Sequence, residues 1–256
     1  MVQKSSKTLT YTHIKKPTKE IISYIDNRRK GVISSLKTRW PKFNRNCMGG
    51  IEPNVILTIA GISGSGKSSF ANTLETDLID LNPQQDVVVL SFSYEMLSSK
   101  QVGRKLSYKL KKTTSELYSG VEDPKARLKH SDYEEIVKQA EKIEKYPIFY
   151  VDSPGTIEEM RNTILHFMDK FPDKWLIIFL DHSLLVKSNQ GDKEREMLAD
   201  LQKMFMEMKK LGQNTIIQLS QLNRNIESSE RITNPSLHYP MRSDLFGADS
   251  LFQASD

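Results

Sequence analysis

The sequence predicts an α/β domain built on a mainly parallel sheet with helices on both faces. Two observations predict it. Short, uninterrupted, β-branched apolar runs recur along the chain, which is how strands buried on both faces read. Between them lie longer segments whose apolar residues return at helical spacing, the pattern of crossover connections between parallel strands. A chain of 256 residues, 38% hydrophobic and 27% charged, is long and apolar enough for one large core, and this composition excludes wholesale disorder.

The elements follow in order. Residues 1–16 are polar and basic, a tail that lacks the apolar stretch of a secretory signal. A short amphipathic helix is predicted over 17–29, with Ile21, Ile22 and Ile25 on one face. The cations Arg28, Arg29 and Lys30 followed by Gly31 are its stop signal. The helix stands apart from the core pattern, and it either packs back on its own domain or docks on a neighbouring subunit. The chain thus divides into a tail with this helix over 1–30 and a main domain over 31–256.

Val55–Ala60 is the first strand, followed by a glycine-rich turn and a helix through Leu81. Val87–Phe92 is the second, followed by a helix over 97–112 and a Lys- and Glu-rich, mostly helical stretch over 113–146. Ile148–Val151 is the third strand and Ile157–Asp169 a helix. Leu176–Leu180 is the fourth strand, Lys193–Leu211 a helix, and Asn214–Leu219 the fifth strand. Met204, Met206 and Met208 read as core filler with some exposure. In sheets of this kind the chemistry gathers at the carboxyl ends of the strands.

Composition narrows the setting. Cys47 is the only cysteine, so no intrachain disulfide and no cysteine-built zinc site is possible, and a reducing, cytoplasmic compartment fits. The longest apolar run, Trp175–Leu180, is too short to cross a bilayer, and no membrane partner is expected. The net charge of +5 is compatible with a polyanionic partner without requiring one.

Gly61-Ile62-Ser63-Gly64-Ser65-Gly66-Lys67-Ser68 matches the phosphate-loop pattern G-x-x-x-x-G-K-[ST] at every fixed position. It follows a buried strand and opens a helix, which is the context that makes the pattern meaningful. The glycines let backbone N–H groups converge on phosphate oxygens, and the helix start adds the positive end of its dipole. Lys67 is placed for the β- and γ-phosphates and the Ser68 hydroxyl for magnesium; Ser69 continues the cradle. The expected ligands are ATP and Mg2+.

Such a loop needs a further carboxylate at the end of a neighbouring strand. Asp181, after Leu176–Leu180, fits, and Asp152, after Ile148–Val151, competes with it; Asp181 is favoured because its strand is longer and more uniformly apolar. Hydrolysis needs a group that orients and deprotonates water. Glu95, beyond the second strand, reads equally as that base or as a helix-entry acid, and Gln221 equally as a γ-phosphate contact or an ordinary loop amide.

Together these segments resemble the catalytic domain of DnaB-type replicative helicases, within the RecA-like ATPases, over residues 17–256. GGIEPNVILTIAGISGSGKSSFA is similar to the family's approach to its phosphate loop; LSFSYEM, residues 90–96, to its catalytic-glutamate segment; LIIFLDHSLL, residues 176–185, to its magnesium-carboxylate segment. IIQLSQLNR, residues 216–224, resembles the sensor segment and is the most specific match. The resemblance implies a RecA-like P-loop fold, Glu95 as catalytic glutamate, Asp181 as magnesium carboxylate and Gln221 as γ-phosphate sensor. It also implies a hexameric ring around single-stranded DNA, a linker role for the helix at 17–29, partners such as primase, and the cytoplasm of a bacterial or phage-infected cell.

The chain departs from the family in three places. The family's separate N-terminal helical domain does not precede the linker-like helix. Residues 244–256 follow the Asp-Leu-Arg-Glu-Ser-Gly DNA-loop pattern only at Asp244 and Leu245, with Phe246 and Gly247 where the family has Arg and Glu. Lys187, Arg224, Arg231 and Arg242 remain as DNA-contacting candidates. The sequence stops at Asp256, before the family's next strand and arginine finger, so weak intrinsic ATPase activity is expected of it. The leading expectation is a helicase motor. The alternative is a RecA-like ATPase switch, such as a loader, mediator or regulator that does not unwind. A small-molecule kinase is disfavoured by the SQLNR segment, and an ABC-type ATPase by the lack of a Leu-Ser-Gly-Gly string.

Overall fold

A computed structural model describes residues 10–119, 128–181, 183, 186–187, 194–234, 236–246 and 248–256. The chain forms two compact units, Met1–Ser35 and Leu36–Asp256. In the first, helix α1 spans Lys15–Arg29, ends on Arg28 and Arg29 and passes through Lys30 into Gly31 at φ +72°. None of its residues is buried, and Ile21, Ile22 and Ile25 are each more than half exposed. Asp26 pairs with Lys30 and Arg29, which hold its carboxyl below the usual range.

The second unit begins with a short helix, α2 (Pro41–Asn46), then alternates strands and helices. The strands are β1 (Ile56–Gly61), β2 (Val87–Ser93), β3 (Ile148–Val151), β4 (Trp175–Asp181) and β5 (Asn214–Gln221). The helices between and after them are α3 (Lys67–Asp80), α4 (Ser98–Leu110), α5 (Thr114–Leu117), α6 (His130–Ile143), α7 (Ile157–Lys170), α8 (Glu194–Met208), α9 (Ser229–Thr233) and α10 (Ala248–Ala254). Part of the stretch expected to be helical over 113–146, residues 120–127, lies outside the described residues, as do the tail over 1–9 and Gly247.

The strands form one parallel sheet in the order β1-β5-β4-β2-β3. Side chains alternate across a strand, and each face has its own core. Val88, Leu90, Phe92, Leu176, Ile178 and Leu180 point to one face, against Met160 and Ile164 of α7 and Leu198, Leu201, Met204, Phe205 and Met208 of α8. Val87, Val89, Trp175, Ile177, Phe179, Ile217 and Leu219 point to the other, against Ala71, Leu74 and Leu78 of α3. Helices on both faces leave the rim at the carboxyl ends of the strands as the accessible edge. The strand register sets Gly61 beside Gln221 and Ser93 beside Asp181 on that rim.

Candidate functional site

The loop between β1 and α3 turns back on itself through Gly64 and Gly66, which hold φ of +74° and +90°, a region that side chains with a Cβ rarely adopt. Gly66 is the cap residue immediately before α3, so the first N–H groups of a long helix open toward the loop. Lys67 folds over the loop, its Nζ donating to the carbonyls of Gly61 (2.9 Å) and Ile62 (2.8 Å). Burial pushes the Lys67 ammonium pKa down, while the Glu95 and Asp181 carboxylates pull it back up.

A cavity of about 310 Å³ sits over this loop. Its floor is Ser63, Gly64, Gly66, Lys67, Ser68 and Ser69; Glu95 enters beyond β2, Asp181 and Ser183 from the end of β4, and Leu219, Ser220 and Gln221 from β5. Ser68 Oγ lies 3.3 Å from Asp181 Oδ1. Gly61 and Ser65 instead line a neighbouring, more apolar cavity of about 410 Å³ with Phe70, Ile226 and His238.

The two strand-end aspartates part company. Asp181 is on the central strand β4 and reaches the loop. Asp152 follows the edge strand β3, is absent from the cavity wall, and accepts a bond from the Ser98 backbone N at 3.1 Å at the start of α4. Its place is helix entry.

Arg104, on α4, also lines the cavity, and sequence reasoning missed it. Its Nη1 is buried and, among the described residues, meets no hydrogen-bond partner. The only signal was its position on the helix that follows Glu95.

The four basic candidates for a polyanion separate. Arg224 is exposed on a short 3-10 turn over Arg224–Glu227, and Lys187 is exposed on the stretch after β4. Arg242 is exposed and lies 3.5 Å over the ring of Phe252. Arg231 differs from them: it is 8% exposed and forked onto Asp244, Nη1 to Oδ1 at 2.7 Å and Nη2 to Oδ2 at 2.9 Å, with the Leu237 and Tyr239 carbonyls taking further protons. A buried guanidinium so committed inside its own domain has little left to offer a phosphate backbone.

The residues present fit a magnesium triphosphate. A hydroxyl and a carboxylate stand side by side, backbone donors are gathered by the loop, and Lys67 and Arg104 line the same space. Among the described residues no group of His, Cys, Asp and Glu side chains is assembled to hold a metal by itself. Magnesium is commonly held by few protein oxygens together with phosphate oxygens, so this sparse set suits it. Among the described residues no helix is long and apolar enough to cross a membrane.

Comparison with known proteins gives the family and the fold. The model of the DnaB-like helicase C terminal domain matches residues 35–256. No curated protein matches the chain. Among solved structures, the ATPase domain of a phage helicase is 19% identical with a TM-score of 0.76, over 93% of this chain and 80% of that one. A DnaB-like replicative helicase, solved in a study of its interactions with primase, is 18% identical with a TM-score of 0.77, over 98% of this chain and 57% of that one. At these identities the likeness is one of fold, and the fold is that of a RecA-like ATPase domain.

Proposed function

We propose, from the premise that this chain belongs to the DnaB-like helicase C-terminal domain family, that it is the ATP-hydrolysing motor of a ring helicase that moves along single-stranded DNA. Membership of that family implies a nucleotide-binding NTPase. The observation that carries the finer reading is the convergence of Lys67, Ser68, Glu95, Asp181 and Gln221, from separate elements, on one cavity.

In this reading the loop N–H groups and Lys67 hold the β- and γ-phosphates, and Lys67 exchanges its present carbonyl partners for phosphate oxygens. Ser68 and Asp181 hold magnesium, which when bound neutralises charge on the phosphate oxygens. Glu95 takes the proton of the attacking water as the water oxygen bonds to the γ-phosphorus. The bond from that phosphorus to the bridging oxygen breaks, and ADP and inorganic phosphate leave. Gln221, from the end of β5, and Arg104, from α4, donate to the γ-phosphate.

Lys187, Arg224 and Arg242, all exposed, supply phosphate contacts to the DNA strand. The exposed isoleucine face of α1 docks on a neighbouring copy in a hexamer. Primase, with which the related DnaB-like replicative helicase interacts, is a candidate partner here, and the bacterial or phage-infected cytoplasm is the matching compartment.

A second reading, an ATPase switch that does not unwind, draws support from Arg231, whose charge is spent on Asp244 rather than offered to DNA. Turnover measured with and without single-stranded DNA, alongside displacement of a labelled strand, separates the two. Weak turnover that rises modestly with single-stranded DNA and is accompanied by displacement is expected. Stimulated turnover without displacement favours the switch, and absence of any nucleotide turnover contradicts both.

A further inference from the structure

Beneath the nucleotide cavity lies a polar cluster that neither reading uses. Lys105 of α4 is 1% exposed and Glu75 of α3 is 3% exposed, and Nζ meets Glu75 Oε2 at 2.6 Å. Lys105 Nζ also donates to the Asn72 carbonyl at 3.2 Å. Ser91 Oγ donates to Glu75 Oε1 at 2.7 Å, and the Tyr150 hydroxyl donates to Oε2 at 3.3 Å, so both oxygens are engaged. Burial pushes the Lys105 ammonium pKa down, and Glu75 opposes that shift.

A second row of bonds runs beside the pair. Asn72 Nδ2 donates to Gln101 Oε1 at 2.8 Å and to the Gln101 carbonyl at 3.1 Å. Gln101 Nε2 donates to Ser93 Oγ at 2.8 Å, and Ser93 Oγ donates to the Met96 carbonyl at 2.8 Å. Ser93 and Met96 bracket Glu95, and Lys105 is the neighbour of Arg104. The cluster therefore ties the helix that starts at Lys67 to the turn bearing Glu95 and the helix bearing Arg104.

Stability alone does not account for it. Taking two charges out of water costs several kcal/mol each, and apolar side chains of similar volume commonly pack as stably as a buried ion pair. What a saturated polar network supplies is one arrangement of its helices, because any sliding leaves a buried donor or acceptor unpaired. We infer that the Lys105–Glu75 pair is a positioning clamp that fixes α4 on α3 and so sets Glu95 and Arg104 over the phosphate loop. Its consequence for turnover rests on the ATPase reading above.

The test is the double variant Lys105→Met with Glu75→Gln, which removes both charges while leaving an amide to meet Ser91 and Tyr150. Lys105→Met alone strands a buried carboxylate and is unsuited, because it is free simply to unfold. The double variant is expected to stay folded and to bind ADP within about threefold of wild type, because the loop itself is untouched. Hydrogen exchange over residues 93–104 is expected to quicken about tenfold or more, with kcat falling by about tenfold or more and KM little changed. Wild-type exchange over 93–104, or wild-type kcat in a variant whose protection there is lost, overturns the clamp. Exchange reads the clamp whether or not the wild-type chain hydrolyses ATP, so absence of wild-type turnover counts against the motor reading alone.

Discussion

Two arginines, one on α4 and one on α9, differ in what their guanidinium groups have already met. Arg231, in the stretch after β5, is forked onto Asp244 and capped by two carbonyls. Arg104 lines the cavity over the phosphate loop with a buried N–H that has no partner among the described residues. Both are cations near segments of functional interest, but Arg104 has the greater capacity left to spend. A spent cation holds a fold together, whereas an unspent buried donor costs free energy until a ligand satisfies it. The cavity over Gly64–Ser69 gathers groups suited to a ligand. The 224–246 region spends its best-buried charge internally.

This contrast can be broken by mutation, and the largest effect belongs to the cavity. Glu95→Gln should keep nucleotide binding and lower turnover by about 10²- to 10⁴-fold, the usual contribution of a general base, read by steady-state ATPase kinetics beside a binding titration. Turnover at the wild-type rate would reduce Glu95 to a helix-entry acid. Arg104→Ala should lower turnover by about 10²-fold or more with little change in melting temperature, because the side chain serves a ligand and not the fold. Arg231→Ala should do the reverse, lowering the melting temperature and leaving kcat of the remaining folded protein close to wild type. Equal thermal penalties for the two variants would erase the distinction between them.

The Arg231–Asp244 pair also sets a pH dependence. Arg231 and the Met241 N–H hold the Asp244 carboxyl below its ordinary range. A carboxyl depressed in the folded state stabilises the fold above its unfolded pKa, and that contribution is lost as pH falls through the folded one. Melting temperature followed from neutral pH down to about pH 3 should therefore fall less steeply in Asp244→Asn than in wild type, from a lower starting value. Parallel curves would show that the pair contributes no acid sensitivity. The smallest effects are expected of the exposed cations. Arg242→Ala, Arg224→Ala and Lys187→Ala should each reduce the slope of log K against log salt for single-stranded DNA by about one. A comparable loss in Arg231→Ala would contradict its internal role.

Much of the fold was legible in the sequence, because strands buried on both faces leave short, β-branched apolar runs such as Val87–Phe92, too short for a helix of ordinary length. The strand ends were not. β1, β2, β4 and β5 each run on past the last apolar residue, to Gly61, Ser93, Asp181 and Gln221. Backbone pairing continues there after hydrophobic patterning has stopped, and those rim positions lie at the edge where the phosphate loop sits. The phosphate loop was legible because its geometry demands particular residue types at fixed spacing. Asp181 is favoured over Asp152 because its strand is longer and more uniformly apolar, but the reason the two differ in place is the strand order, central β4 against edge β3, which no local signal carries. Arg104 was invisible for a sharper reason. Gln101, Arg104, Lys105 and Tyr108 recur at helical spacing, which ordinarily marks a solvated face, yet Gln101 and Lys105 are buried and Arg104 lines the cavity. Periodicity finds a polar stripe without saying which way it points.

The central claim is that the groups converging over Gly64–Ser69 form a magnesium–triphosphate site. Calorimetric titration of a non-hydrolysable ATP analogue with magnesium, into wild type and into Lys67→Ala, tests it most directly. Saturable binding to wild type, weakened by about 10- to 100-fold in Lys67→Ala as befits loss of a charged hydrogen bond to phosphate, is the predicted result. Equal binding by the two proteins, or none by wild type, would contradict it.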